Sequence, residues 1–287
     1  MNIVNIYRQF PTEADCIAHI ERVRWHGKPV CPYCTSNRVT SVPKEARHHC
    51  NACNTTFSAT VNTIFHHTHL DLQIWFLAIS LILNAKKGIS GRQLARDLEV
   101  NKNTGWYIGM RVRNAMFDQG DLLRGIVEMD ECYIGGKPRK GTGPHKRGRG
   151  TTKAPAVGMI ERGGNVVARH VDKSKLNSKS LARFVREHVD VSDAMLITDE
   201  YNGYVRIKGF MPHAVINHSI SYADGDIHTN AIEGFWSLLK RGMIGQYHKV
   251  SVRHLHQYVT EFCYRYNGRN NPALFDLTIA RAVGVIR

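Results

Sequence analysis

The sequence predicts a multidomain chain: a small N-terminal zinc ribbon, an all-α helix-turn-helix, then a larger α/β domain. Three observations carry this. Two Cys-x-x-Cys pairs stand about fifteen residues apart near the N-terminus. Two helical patterns meet at a tight turn near residue 100. From residue 125 the texture changes to short apolar runs bounded by turn residues. At 287 residues the chain is long enough for a well-buried core and for two or three domains. The expected boundaries are 1–68 for an N-terminal helix plus ribbon, 69–120 for the helix-turn-helix, and 121–287 for the α/β domain with C-terminal helices.

In chain order, "TEADCIAHIERVR" (12–24) reads as a short helix with Ile17, Ile20 and Val23 on one side. Cys31, Cys34, Cys50 and Cys53 follow, with alternating, strand-like residues between the pairs. Four thiolates can close a tetrahedron around Zn²⁺, and a module this small has too little core to fold without it. Cys16, Cys132 and Cys263 stand alone, and seven cysteines in all speak against a disulfide framework. His66, His67 and His69 lie just beyond a ribbon that already has four ligands, so they read as solvated or phosphate-contacting.

Residues 71–86 form a strongly apolar helix, and Ser90 can cap the next, in which Leu94, Ala95 and Leu98 share a face. "EVN" turns the chain, and a second helix starts near Lys102 or Asn103. That layout is a helix-turn-helix, with an ordinary helical hairpin as the alternative because Gly105 and Gly109 weaken the second helix. In the first reading Lys102, Asn103 and Thr104 face a DNA groove, and Arg111 and Arg113 touch phosphates.

Beyond residue 125, "GIVEMDECYIG", "APAVGMIERG" and "NVVARHVD" read as strands, 178–189 as a helix, and "AMLITDE" and "AVINHS" as further strands. Residues 229–241 and the tail from Val252 read as helical.

Charge narrows the partners. A net charge of +15 and a pI of about 9.7 favour a polyanion, since each cation set against a phosphate releases condensed counterions. A basic enzyme without such a partner is the rival, and membrane-surface binding a weaker one. No apolar run spans a bilayer, and the start "MNIVNIYRQFPTEADC" lacks the layout of a signal peptide. A cytoplasmic location, associated with the nucleoid if DNA is the partner, is therefore expected.

Asp130 and Asp199 each follow an apolar β run, and ligands of open α/β sheets bind beyond the strand ends. Carboxylates there can share hard cations such as Mg²⁺, and two ions roughly 3.5–4 Å apart suit in-line phosphoryl displacement. On a helix from Asn230, the residues Asn230, Glu233, Ser237 and Lys240 share one face while Ile232, Trp236 and Leu239 share another. The first face sets an amide, a carboxylate and an ammonium together; a plain amphipathic helix is the alternative.

The order of ribbon, helix-turn-helix and strand-end aspartates resembles bacterial insertion-sequence transposases of the ISXO-like group. So do the phrases "MDECYIGGK", "ITDEYNGY", "HTNAIEGFWSLLKRG" and "YRYNGRNNP", and the resemblance spans nearly the whole chain. It implies a ribonuclease-H-like core with a mixed sheet and a DDE-type acidic triad holding two Mg²⁺ (or Mn²⁺) ions, beside one structural Zn²⁺. It also implies cleavage and rejoining of double-stranded DNA at the element's terminal repeats and a target, by a homo-oligomer assembled on DNA. Asp130 and Asp199 match the first two acidic positions. For the third, Glu233 is favoured because a carboxylate binds Mg²⁺ better than an amide, with Asn230 as the alternative. Lys240, two turns on, would hold a phosphate. The basic stretch Lys137, Arg139, Lys140, Lys146, Arg147 and Arg149 would meet DNA phosphates, unless it is simply a solubilising loop. The rivals are a DNA-binding regulator with an inactive core and a structure-specific nuclease.

Overall fold

The computed structural model describes residues 1–117, 120–136, 150–217 and 227–284. Two compact units emerge: Met1–Phe117 together with Asn270–Arg287, and Asp118–Arg269. The ribbon and the two-helix motif thus share one unit. The last helix, assigned above to the α/β domain, joins that unit too.

The first unit opens with α1 (Ile3–Gln9), which the sequence reading misses, and α2 (Glu13–Trp25). Thr12 and Asp15 cap α2 reciprocally. Its buried side is formed by Cys16, His19, Ile20 and Trp25, with Ile17 and Val23 only half buried. Strands β1 (Val39–Val42), β2 (Arg47–Cys50) and β3 (Thr55–Phe57) make an antiparallel meander. Its small core is aromatic: Trp25 meets the His48 ring edge-on at 5.0 Å, and His48 stacks on Phe57 at 5.6 Å.

Helix α3 (Leu72–Asn84) is apolar nearly all round and correspondingly buried. Phe76 packs edge-on against Phe10 at 5.0 Å and against Phe275 at 5.7 Å. Phe275 lies on α9 (Leu274–Ala282), and the Ile64 N–H donates to the Ala282 carbonyl at 3.0 Å. These contacts draw the C-terminal helix into this unit.

Helices α4 (Gly91–Asp97) and α5 (Lys102–Ala115) start where expected, capped by Ser90 and Asn101. Gly105 is a contact point rather than a weakness. A Cβ there would lie 2.6 Å from Ala95 Cβ and 2.7 Å from the Gly91 carbonyl oxygen, so the two helices cross at backbone distance.

In the second unit, β4 (Leu123–Ile134), β5 (Ala154–Glu161), β6 (Val166–His170), β7 (Val189–Thr198) and β8 (His213–Val215) form one mixed sheet in the order β6-β5-β4-β7-β8. β4 is antiparallel to β5 and parallel to β7. Alternation along β4 buries Val127 and Met129 on one face, where α6 (Ser178–His188) contributes Leu181, Phe184 and Val185. The opposite face carries α7 (Asn230–Gly245) and α8 (Val252–Asn267). The Asn267 carboxamide exchanges hydrogen bonds with Val166 N–H (2.8 Å) and C=O (3.0 Å), pairing the edge of β6.

Gly158 sets how closely α7 approaches. It pairs with Asp130 in the β4–β5 register, and a Cβ on it would stand 2.7 Å from Trp236 Cη2. Gly158→Val should therefore lift α7 from the sheet beside Asp130, costing about 1–3 kcal/mol of stability. Thermal unfolding would read this, and an unchanged melting temperature would refute the close-packing account. Among the described residues no helix is long and apolar enough to cross a membrane.

Candidate active site

The strand register assembles the site. Met129 of β4 pairs with Thr198, the last residue of the parallel β7, so the next residues, Asp130 and Asp199, lie side by side. Asp199 stands just past its strand, whereas β4 runs on to Ile134 against β5, so Asp130 sits within its strand and not at the end the sequence suggests. Oxygen atoms of Asp130, Glu131 and Asp199 all come within 4.8 Å of one another. Asp199 Oδ1 accepts from Tyr201 N–H at 3.0 Å, a local turn that orients the carboxylate. Glu131 Oε2 accepts from Tyr204 Oη at 2.7 Å, and Tyr204 is itself buried in the core beneath.

The electrostatics are strained in one direction. Burial pushes the Asp130 carboxyl up to about 7, helped by the charges of Glu131, Asp199 and Glu233 against one backbone hydrogen bond. An all-oxygen donor set that resists holding its own negative charge suits a hard cation.

Helix α7 presents the faces expected of it: Asn230, Glu233, Ser237 and Lys240 are exposed, and Ile232, Trp236 and Leu239 are buried. Glu233 lies outside the 4.8 Å cluster but near enough to raise Asp130. Its Oε1 accepts from Thr229 Oγ1 at 3.0 Å. Lys240 is also in range. The Cys132 thiol, pushed up to about 12 by burial, is pulled the other way by Lys240.

In the first unit the four ribbon cysteines form the second metal-competent cluster. Cys31 and Cys53 sulfurs are 3.7 Å apart, and Cys34 and Cys50 sulfurs 3.5 Å. A tetrahedron with Zn–S bonds of about 2.3 Å has edges of about 3.8 Å, so the donors fit a structural zinc site.

Residues 122–267 match the model of the ISXO2-like transposase domain, and residues 11–56 that of the transposase zinc-ribbon domain. The chain belongs to the ISXO2-like transposase family. A relative from Halobacterium salinarum, described as an uncharacterized protein in transposable element ISH50, is 27% identical over 272 residues, covering 89% of this chain and 91% of its own. The crystal structure of the Mos1 strand transfer complex aligns over 72% of this chain and 74% of that one, at 13% identity and a TM-score of 0.32. That likeness is too loose to locate any residue.

For this transposase-family chain, the residues suggested as DNA contacts divide into four groups. Lys102 and Asn103 are exposed and Thr104 half buried at the start of α5. Arg111 donates to the His66 carbonyl at 2.9 Å and lies over the Tyr107 ring. Arg113 corrects the sequence reading. Its side chain is buried, reaching the Ile89 carbonyl and Met110 Sδ, so it braces the helix pair and is not offered to a phosphate. Lys137, Arg139, Lys140, Lys146, Arg147 and Arg149 lie outside the described residues. Trp106 and Tyr107, which have no role in the sequence reading, are exposed on α5 beside Lys102 and Asn103. Helical spacing from Asn103 could have found Tyr107. Glu131 likewise has no role in the sequence reading, although it forms an acidic doublet with Asp130.

Proposed function

We propose that the protein is a DNA transposase that binds the ends of its insertion sequence and catalyses metal-dependent DNA cleavage and strand transfer. The observation that carries this reading is the convergence of carboxylates from two parallel strands on one point, with Asp130 forced up to about 7. Asp130, Asp199 and Glu233 would hold Mg²⁺ or Mn²⁺, with Asn230 as the alternative third ligand. When bound, a pair of such ions activates the attacking oxygen and stabilises the leaving oxygen of an in-line phosphoryl displacement. Lys240 supplies an ammonium for a phosphate on the same helix face. The mixed sheet with its first strand in the middle, and carboxylates set side by side by the adjacent parallel strands β4 and β7, supports a ribonuclease-H-like core.

End recognition is assigned to the first unit, with α4 and α5 as a helix-turn-helix and Lys102, Asn103 and Thr104 at the groove. Arg111 and the basic stretch 137–149 add sequence-independent phosphate contacts to the terminal repeats and target. One zinc ion per chain would hold the ribbon, and the active form would be a homo-oligomer on DNA.

The direct test is a strand-transfer assay on oligonucleotides carrying the flanking repeats, with and without Mg²⁺. Cutting of branched DNA without joining would move the protein to the nucleases. End binding without any cutting would make it a regulator. A second outcome follows from Asp130, where proton and cation compete. Raising the pH from 6 to 7 should strengthen Mg²⁺ binding, by at most about tenfold per unit, with a plateau above 7. Calorimetric titration of Mg²⁺ into the DNA-free protein checks this; pH-independent affinity would contradict it.

A further inference from the structure

Glu128 is wholly buried, and the chemistry outlined above gives it no task. It lies on β4 two residues before Asp130, on the same side of the strand. Its Oε2 accepts from the N–H groups of Ala231 (2.7 Å) and Ile232 (3.1 Å), in the first turn of α7. Its Oε1 accepts from Arg162 Nε at 2.7 Å and lies 3.3 Å from His228 Nδ1. Arg162 Nη2 also donates to the His228 carbonyl at 3.0 Å, fixing the chain just before the helix.

The helix's own cap is employed elsewhere. Thr229 is the N-cap residue, yet its side chain makes no capping bond; its hydroxyl donates instead to Glu233. A carboxylate from the sheet thus satisfies the helix start and complements its dipole, leaving the cap threonine to orient Glu233. A buried ion pair is weak evidence for a purely stabilising role, because apolar residues can often replace one at no loss.

We infer that Glu128 is a positioning residue of the metal site, tying the helix that carries the third ligand to the strand that carries the first. This rests on the metal-dependent reading proposed above. The anchor lies one and two residues from Glu233, so a shift at the helix start moves that carboxylate directly. Misplacement on the ångström scale is enough to matter to a reaction that depends on alignment.

The test is a double-mutant cycle in the full-length protein between Glu128→Asp and Glu233→Gln. Aspartate keeps the charge but is one methylene too short to span both Arg162 and the helix N–H groups. Glu128→Asp alone should weaken Mn²⁺ binding and slow end cleavage by about 10–100-fold, with cleavage recovering at saturating Mn²⁺. Added to Glu233→Gln it should cause little further loss, because both act through one carboxylate. Multiplicative effects, or full activity of Glu128→Asp, would overturn the inference while leaving the metal reading intact. Failure of the wild-type protein to bind Mn²⁺ would instead defeat the metal reading. Should Glu128→Asp not fold, the charge-neutral Glu128→Gln/Arg162→Gln pair takes its place in the cycle. If that also fails to fold, the network is merely structural and the inference falls.

Discussion

Asp130→Asn should abolish cleavage and strand transfer together, yet raise the melting temperature of the metal-free protein at pH 8. The first effect follows from losing a charged oxygen ligand where reacting oxygens must be aligned. Removing one preorganised electrostatic contact in other enzymes costs about 10²–10³-fold, and a metal ligand should cost at least that. The second follows from linkage. Folding lifts the Asp130 carboxyl from 3.8 to about 7, so between those values the folded protein keeps a proton that the unfolded chain has released. Stability therefore falls as pH rises through this window, and above 7 the ionised group bears the full cost. Asparagine has no such charge, so its advantage should be present at pH 8 and vanish below pH 4. Divalent cations should raise the melting temperature of the wild type and not of the variant. Scanning both proteins by calorimetry with and without Mg²⁺, beside a cleavage assay, tests all of this. Normal cutting by Asp130→Asn would defeat the site assignment outright. In the same assays Glu233→Gln against Asn230→Ala decides the third ligand, by which variant fails as deeply as Asp130→Asn.

Much of this site could be read from the chain because its signals are local. An apolar run ending in an acid marks both Asp130 and Asp199, and helical periodicity alone separates Glu233 and Lys240 from Trp236. What periodicity cannot show is which strands are neighbours. The side-by-side placement of the aspartates depends on a parallel register between β4 and β7, sixty-nine residues apart in sequence by the Met129–Thr198 pairing. Glu128 was illegible for the same reason. In sequence it is an ordinary polar residue in a strand, and its partners Arg162, His228 and Ala231 are known only once the sheet and α7 are assembled. Arg113 is a different case: a cation late in α5 reads as solvent-facing, but its side chain is buried, reaching the Ile89 carbonyl and Met110 Sδ. The C-terminal helix carries an apolar face that fits any core, so nothing local assigns Phe275 to Phe10 and Phe76.

Cys50→Ser should empty the ribbon of zinc and open it. The module has strands of three and four residues and a core of little beyond Trp25, His48 and Phe57, so burial offers it scant stability. The four sulfurs supply the remainder: they stand at tetrahedral spacing, and without metal they share protons unequally. Against the Ser36 N–H, burial and the neighbouring sulfurs hold Cys34 up to about 12, whereas the backbone N–H of Cys53 leads in pulling the Cys50 thiol down to about 6. That favours the thiolate a metal needs. Serine's hydroxyl cannot ionise there, which removes one corner of the tetrahedron and, with it, the constraint joining the two knuckles. Elemental analysis should find one zinc per chain in the reduced wild type and almost none in the variant. Trypsin should then cut after Arg38, Lys44 and Arg47, which are exposed but held in or beside the β1–β2 hairpin in the intact ribbon. Recognition of element ends should fall, while weak, salt-sensitive DNA binding through the basic stretch persists. Zinc-free wild-type protein, or a variant as resistant to trypsin as the parent, would mean that the ribbon holds itself together without metal.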